Sequence, residues 1–203
     1  MNENKKAPFP KSWWVEDGLL LAGCFPGDRD QGEARKKLQG LLDAGVRVFI
    51  SLQEPDETSP WGPFAPYMPM AEQLAHEGGV ELEYVNFPIV DLGVPTKELM
   101  AAILEKIRQA RSAGRCVYVH CWGGHGRTAT VVGCWLRERG LTGEEALNRI
   151  ADLRRHDPYL AGQRSPQTLA QRKMILEWRP PPPRTAEGGD SAYETRAEGG
   201  PEM

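Results

Sequence analysis

One stretch of the sequence decides both the fold and the chemistry: Val117-Tyr118-Val119-His120-Cys121-Trp122-Gly123-Gly124-His125-Gly126-Arg127-Thr128-Ala129-Thr130-Val131. An apolar strand leads into a glycine-rich loop, and a helix is predicted to begin at Thr128. A glycine-rich loop at a helix start points backbone N–H groups inward, and the helix dipole adds positive potential at the same place. The sequence therefore predicts an anion site above the thiol of Cys121, and the same potential favours a thiolate.

Arg127 closes this loop. Its planar guanidinium keeps its charge at neutral pH and can donate to two oxygens of one phosphate group. A thiolate, the loop amides and a guanidinium would then share one phosphate. Two other interpretations are weaker. One is a buried cysteine before an ordinary strand-to-helix turn. The other is a zinc site of His120, Cys121 and His125, which lacks a second pair of ligands at finger-like spacing.

The order His120-Cys121, five residues, Arg127-Thr128 resembles the signature loop of cysteine-dependent protein tyrosine and dual-specificity phosphatases. The resemblance implies that Cys121 is the nucleophile and that a phosphocysteine forms. It also implies that His120 orients the loop and that Thr128 donates a hydrogen bond to the departing thiolate. The phosphate itself would be held by Trp122, Gly123, Gly124, His125, Gly126 and Arg127. Arg127 and the amides stabilise the charge in this mechanism, so we expect no metal and no cofactor.

A phosphate monoester also needs a proton for its leaving oxygen, and Asp91 is the candidate acid. It lies in a segment with flanking prolines and a glycine, residues 87–95, which is similar to the acid loop of dual-specificity phosphatases. Such a loop can close as a unit. The alternative for Asp91 is a solvent-exposed loop residue. Asp28, Asp56 and Glu57 are the fallback acids.

Two glutamines, Gln167 and Gln171, look like the glutamine loop of tyrosine-specific phosphatases. Four residues apart, they share one face if the segment is helical, and either could position the attacking water. The alternative is two solvated amides on a surface helix. Arg164 nearby could contact substrate or be a surface charge.

The substrate is less well defined than the reaction. The leading interpretation is an enzyme acting on phosphotyrosine proteins, with phosphoserine and phosphothreonine as further substrates. His125 stands where many protein phosphatases carry an aliphatic residue and lipid-directed relatives carry a basic one, so a phosphoinositide or a small phosphate ester is the alternative. A third hypothesis is a module that binds phosphate without turnover.

Composition narrows the class of protein. The net charge of the 203 residues is −3, and residues 185–203 carry five acidic side chains against Arg196 alone. That tail has a charge of −4 and the other residues a charge of +1, which argues against a nucleic-acid partner. The four cysteines lack disulfide-framework spacing, and neither a signal peptide nor a membrane-spanning run is apparent. We expect a cytoplasmic monomer without membrane insertion.

Strands and helices alternate along the chain, which predicts an α/β fold of the protein tyrosine phosphatase type. A twisted, mostly parallel sheet would have helices on both faces. Residues 1–11 are expected to be a flexible arm, 12–178 the phosphatase domain, and 179–203 a proline-rich and then acidic disordered tail. The strands are predicted at 13–15, 19–22, 46–52, 83–87 and 116–120, and the helices at 33–44, 70–77, 97–113, 128–139, 142–154 and 165–178.

One long segment, residues 53–69, contains many prolines and is predicted to lack regular structure. It nevertheless carries Trp61, Phe64 and Tyr67. These aromatic side chains either recognise substrate or pin the segment to the body of the protein.

Overall fold

The computed structural model describes residues 6–179. Within that range the chain forms, in order, β1 (Ser12–Glu16), β2 (Leu20–Gly23), α1 (Gln31–Asp43), β3 (Val46–Ser51), β4 (Thr58–Ser59), β5 (Gly62–Pro63), α2 (Met68–Glu77), β6 (Glu83–Asn86), α3 (Lys97–Ser112), β7 (Cys116–His120), α4 (Arg127–Glu138), α5 (Gly143–Arg154) and α6 (Leu169–Glu177).

The main sheet has five strands in the order β1-β2-β7-β3-β6. The outer pair β1 and β2 is antiparallel, and every other neighbouring pair is parallel. The predicted mostly parallel α/β sheet is therefore confirmed. Strand β7 occupies the centre, so its carboxyl end lies beside the ends of β2 and β3. Ligands of open α/β sheets bind outside this edge, and Cys121 emerges there.

Alternation along β7 divides the core between the two faces of the sheet. Val117 and Val119 belong to a buried cluster with apolar side chains of α3, α4, α5 and α6. Cys116 and Tyr118 belong to a second cluster with side chains of α1 and α2. Helices thus cover both faces, as the sequence predicts, and the central strand is buried throughout.

A side chain caps the N-terminus of most of the helices. Thr96 caps α3, and Thr142 forms a capping box with Glu145 at α5. Helix α4 is different, because Gly126 at its N-cap position offers no side chain. The first N–H groups of α4 therefore remain available to a ligand.

Two predictions of local structure were wrong. Residues 53–69 contain a short antiparallel hairpin, because β4 pairs with β5. The last helix begins at Leu169, since the hydroxyl of Thr168 accepts from the backbone N–H of Gln171 at 3.2 Å. Ser165, at the start of the predicted helix, instead donates its hydroxyl to the carbonyl of His125 at 2.7 Å.

Residues 6–11 of the predicted flexible arm contact the body of the protein. Phe9 is buried and lies edge-on to Tyr118, with ring centroids 6.1 Å apart. The backbone N–H of Lys11 donates to the carboxylate of Asp157 at 2.5 Å. Residues 1–5 of the arm and residues 180–203 of the predicted tail lie outside the described residues.

Candidate active site

The loop between β7 and α4 is built on close backbone packing. Gly124 has φ +74°, and a Cβ atom there would lie 2.8 Å from the carbonyl carbon of Gly23. Only glycine fits such a position without strain. The carbonyl of Trp122 accepts from the backbone N–H of Phe25 at 2.9 Å. Cys121, which begins this loop, is buried.

Arg127 is the first residue of α4, and only 1% of its surface is exposed. Both of its terminal nitrogens contact the carboxylate of Glu57, with Nη2 to Oε1 at 2.8 Å. Nη2 also lies 2.8 Å from Oδ1 of Asp91. Burial acts to lower the pKa of Arg127, but Glu57 and the charges of Cys121 and Asp91 outweigh it and raise the pKa. Arg127 is therefore charged and held in one orientation.

The two carboxylates on Arg127 have different surroundings. Glu57 is nearly enclosed, whereas 44% of the Asp91 side chain is exposed. A buried bidentate partner suits the role of fixing Arg127, and an exposed loop carboxylate can still reach a substrate oxygen. Of the other fallback acids, Asp28 is paired with Lys37 at 2.7 Å and Asp56 is exposed. Asp91 thus stands next to the position where phosphate would bind.

His120 lies beneath the loop and is fully buried. Burial lowers its pKa to about 3, and the charge of Arg127 acts in the same direction. The neutral ring fits its two contacts: Nε2 is 2.7 Å from the hydroxyl of Tyr67, and Nδ1 is 3.4 Å from the carbonyl of Cys121. We assign the Nδ1–H tautomer from this network, so Tyr67 donates to Nε2 and Nδ1 donates to the carbonyl. His120 therefore braces the loop.

A family model described as the Swiss Army Knife protein, DSP-PTPase phosphatase domain, matches residues 12–179. The chain belongs to this family. The match confirms the predicted membership of the cysteine-dependent protein tyrosine and dual-specificity phosphatase superfamily, and the protein is a phosphatase of the DSP-PTPase type.

Curated relatives agree with this assignment. The chain is 31% identical over 154 residues to phosphatidylglycerophosphatase and protein-tyrosine phosphatase 1 of Mus musculus, covering 74% of this chain and 72% of the relative. It is 30% identical over 172 residues to phosphatidylglycerophosphate phosphatase PTPMT2 of Arabidopsis thaliana, covering 82% of this chain and 62% of the relative.

Solved structures share the DSP-PTPase fold at lower identity. The active form of Tk-PTP has a TM-score of 0.62 and 24% identity, covering 83% of this chain and 97% of the other. PTPMT1 in complex with PI(5)P has a TM-score of 0.59 and 24% identity, covering 82% and 93%. These likenesses support the protein tyrosine phosphatase fold predicted from the sequence.

The two glutamines of the DSP-PTPase domain meet the phosphate loop but do not share a helix face, because Gln167 precedes α6. A Cβ atom on Gly126 would lie 2.6 Å from Oε1 of Gln167 and 2.9 Å from Nε2 of Gln171. Gln171 is buried, and its amide is used: Oε1 accepts from two backbone N–H groups, and Nε2 donates to the carbonyl of Gly93 at 3.0 Å. Gln171 thus ties α6 to the acid loop, and exposed Gln167 is the better water-positioning candidate.

Thr128 makes a contact that the sequence does not predict. Its hydroxyl donates to the carbonyl of Gly23 at 3.3 Å. This bond ties the start of α4 to the end of β2. The donation from Thr128 to the thiolate of Cys121 stays a prediction.

His125 is not the cation of the loop. Burial and, to a smaller degree, the nearby charge of Arg154 lower its pKa to about 4. Its Nδ1 lies 2.7 Å from a terminal nitrogen of Arg154, so the guanidinium donates to a neutral ring. Arg154, which the sequence predicts only as the end of a helix, supplies the positive charge behind the loop.

Aromatic side chains stand beside the phosphate loop. The rings of Trp122 and Phe64 have centroids 6.0 Å apart, and Phe64 lies 4.8 Å from Phe25. Trp61 on the same hairpin segment is 68% exposed. Tyr67 therefore pins this segment to the body of the protein through His120, and substrate recognition by the exposed Trp61 stays a prediction.

Residues 6–179 contain neither a membrane-spanning helix nor a metal-binding cluster. Over this range, no helix combines the length and the apolar character that crossing a membrane requires. The same range holds no group of three or more histidine, cysteine or acidic side chains placed to bind a metal ion.

Proposed function

We propose that this DSP-PTPase hydrolyses phosphate monoesters through a phosphocysteine intermediate. The thiolate of Cys121 attacks phosphorus, forming the S–P bond, while the ester P–O bond breaks and Asp91 protonates the leaving oxygen. Water then attacks the phosphocysteine and gives its proton to Asp91, and the S–P bond breaks, which regenerates the Cys121 thiolate and releases inorganic phosphate. Arg127 and the loop N–H groups stabilise the charge on the non-bridging oxygens in both steps.

The contact between Arg127 and Asp91 carries this proposal. Arg127 must bind the phosphate, and its Nη2 lies 2.8 Å from Oδ1 of Asp91. The acid is therefore adjacent to the phosphate position before any substrate binds. A bound phosphate would take over the Asp91 contact, while Glu57 keeps Arg127 in place. Gln167, next to Gly126, is positioned to hold the hydrolytic water.

The proposed substrate is a small phosphorylated headgroup, such as that of a phospholipid. The names of the mouse and Arabidopsis relatives include phosphatidylglycerophosphate hydrolysis. Arg154 supports this substrate class, because it places a second cation directly behind the loop at His125. An anionic headgroup gains more from this charge than a neutral alcohol does.

The second candidate is a phosphotyrosine protein, with phosphoserine and phosphothreonine as related substrates. Its support is the aromatic group formed by Phe25, Phe64 and Trp122, together with exposed Trp61. Aromatic side chains can stack on a phenyl ring, and the name of the mouse relative also includes protein-tyrosine phosphatase.

Hydrolysis of para-nitrophenyl phosphate in the presence of a metal chelator tests the reaction. Wild type and Cys134→Ala, which changes a buried thiol on α4, should turn over, and Cys121→Ser should not. A folded wild-type protein without turnover would refute the proposal. Vesicles containing phosphatidylglycerophosphate, compared with a phosphotyrosine peptide, then rank the two substrate classes by kcat/KM.

A further inference from the structure

A second concave site adjoins the phosphate loop. A cavity of about 530 Å³ lies between α5, α6 and the segment that joins them. This volume is within the range of small-molecule sites. The side chains that line it include four arginines and one acid: Arg154, Arg155, Arg164, Arg172 and Asp152.

Most of the positive charge in this cavity is uncompensated. Asp152 pairs with Arg155 at 3.5 Å. Across residues 6–179, neither Arg154, Arg164 nor Arg172 forms an ion pair with a carboxylate. Guanidinium groups that share a concave wall repel one another, and a bound anion removes that repulsion.

Arg154 is the buried cation of the cavity wall. Only 2% of its surface is exposed, and its guanidinium lies 5.4 Å from the ring of Trp13. Burial lowers its pKa to about 10, so it is still charged at neutral pH. Its hydrogen bond goes to the neutral ring of His125, and within residues 6–179 its Nε has no hydrogen-bond partner. A buried charge is normally paired with an opposite charge, but in the described part of the chain Asp157 acts on Arg154 without forming an ion pair with it.

The cavity and the phosphate loop meet at His125, a loop residue that contacts two residues of the cavity wall. Arg154 contacts its Nδ1, and Ser165, which also lines the cavity, donates to its carbonyl at 2.7 Å. Asp157 and, to a smaller degree, Cys121 counter the lowering of the Arg154 pKa by burial, so the charges of Arg154 and Cys121 also act on each other. An anion in the cavity would therefore lie close to a phosphate held over Cys121.

We propose that this cavity binds a second phosphate group of the same substrate molecule whose first phosphate is attacked by Cys121. This inference rests on the proposed phosphatase function and narrows its substrate to a small headgroup that carries two phosphates. A free phosphate ion has the same chemistry as the second group, and the experiments below separate these two sources.

The first experiment uses a series of propane-, butane-, pentane- and hexanediol bisphosphates, each compared with its monophosphate at constant ionic strength. In wild type, kcat/KM for the bisphosphate should exceed that for the monophosphate by about tenfold or more at one or two lengths, because a charge-assisted contact is gained. Arg164→Ala and Arg172→Ala should each bring this ratio close to one.

The matched control is Lys173→Ala, which removes the same charge from the next position on α6 and should leave the ratio at the wild-type value. Lys173 is an exposed side chain close to Glu177. A ratio near one at every length in wild type would overturn the proposal. So would an equal loss in Lys173→Ala, because general electrostatic attraction would then explain the preference.

The second experiment measures binding to Cys121→Ser by calorimetry and does not depend on turnover. The best bisphosphate should bind about tenfold more tightly than its monophosphate, and Arg172→Ala in the same background should remove the difference. This result supports the cavity even if wild type hydrolyses nothing and the proposed function fails. Inorganic phosphate is titrated in parallel. Two phosphate sites without any preference for bisphosphate would assign the cavity to a free ion and overturn the proposal.

Discussion

The ion pair between Glu57 and Arg127 leads to the sharpest prediction. Glu57→Gln keeps the size of the side chain but removes its charge. Arg127 is 1% exposed and would retain the carbonyls of Leu52 and Ile89 and the carboxylate of Asp91. Because 44% of Asp91 is exposed, solvent screens its contribution, so most of the compensation for the Arg127 charge comes from Glu57.

We expect Glu57→Gln to lower the free energy of unfolding by about 1.5–3 kcal/mol, the contribution of a hydrogen bond to a charged group. Arg127 would also lose its bidentate contact with a carboxylate, so kcat/KM for para-nitrophenyl phosphate should fall by roughly 10- to 100-fold. This fall corresponds to about 1.4–2.8 kcal/mol of transition-state stabilisation. Urea unfolding and steady-state kinetics below the unfolding transition measure the two effects separately.

Asp56→Asn is the matched control, since it removes one negative charge from the exposed neighbour of Glu57. It should change both quantities little, because exposed charges typically contribute less than about 1 kcal/mol. The same small effect in Glu57→Gln would refute the assignment of Glu57 as the residue that holds Arg127. A loss of stability with unchanged kcat/KM would restrict Glu57 to a structural role.

Four further predictions concern the loop and its neighbours. Asp91→Asn should lower kcat by roughly 10²- to 10⁴-fold with little change in KM, measured with an alkyl phosphate whose leaving oxygen needs a proton. His120 has a pKa of about 3 when folded, against 6.5 ordinarily, so the unfolded state binds the proton more tightly and stability falls as the pH drops from 6.5 toward 3. The free energy of unfolding, measured with urea at several pH values, should therefore change less steeply with pH in His120→Asn, by about 1.4 kcal/mol per pH unit. Gln167→Ala should slow the second step, so that phosphocysteine accumulates in rapid-quench mass spectrometry. Gly124→Ala should lower stability by about 1–3 kcal/mol in urea unfolding, because of its positive φ and its contact with Gly23.

Each of these predictions can fail in a specific way. A near-normal rate in Asp91→Asn would show that another acid protonates the leaving oxygen. An unchanged pH slope in His120→Asn means that the histidine is protonated in the folded protein, and unchanged phosphocysteine levels in Gln167→Ala remove this glutamine from the second step. Wild-type stability in Gly124→Ala would show that the loop can shift away from Gly23.

The sequence predicts the phosphate loop and the parallel sheet because both depend on local patterns. The loop is contiguous, and strand β7 is a run of apolar residues before it. The contacts that complete the site are not local. Glu57 and Arg127 are separated by 70 residues, and Arg154 and His125 by 29. No periodicity or spacing brings such pairs together, so Glu57 appears in the sequence only as a fallback acid and Arg154 as a helix end.

The start of α6 shows a different limit of sequence patterns. Ser165 followed by proline is a typical helix start, but Thr168 and Gln171 form a capping box three residues later. The helix begins at the capping box because the side chain of Gln171 accepts from two backbone N–H groups and also donates to the carbonyl of Gly93. That choice leaves Ser165 free to bond the loop at His125 and Gln167 outside the helix. Local propensity allowed both starts, and the tertiary contacts with the phosphate and acid loops selected one.

The two buried arginines near Cys121 have opposite electrostatic environments, and this contrast bears on how substrate is attracted. Arg127 contacts two carboxylates, Glu57 and Asp91, so this group as a whole is not positive while both acids are ionised. Arg154 has no carboxylate within ion-pair distance among residues 6–179 and sits beside Arg164 and Arg172. The long-range attraction for an anionic substrate therefore comes from the arginine-lined cavity, whereas Arg127 acts only at contact, once phosphate replaces Asp91.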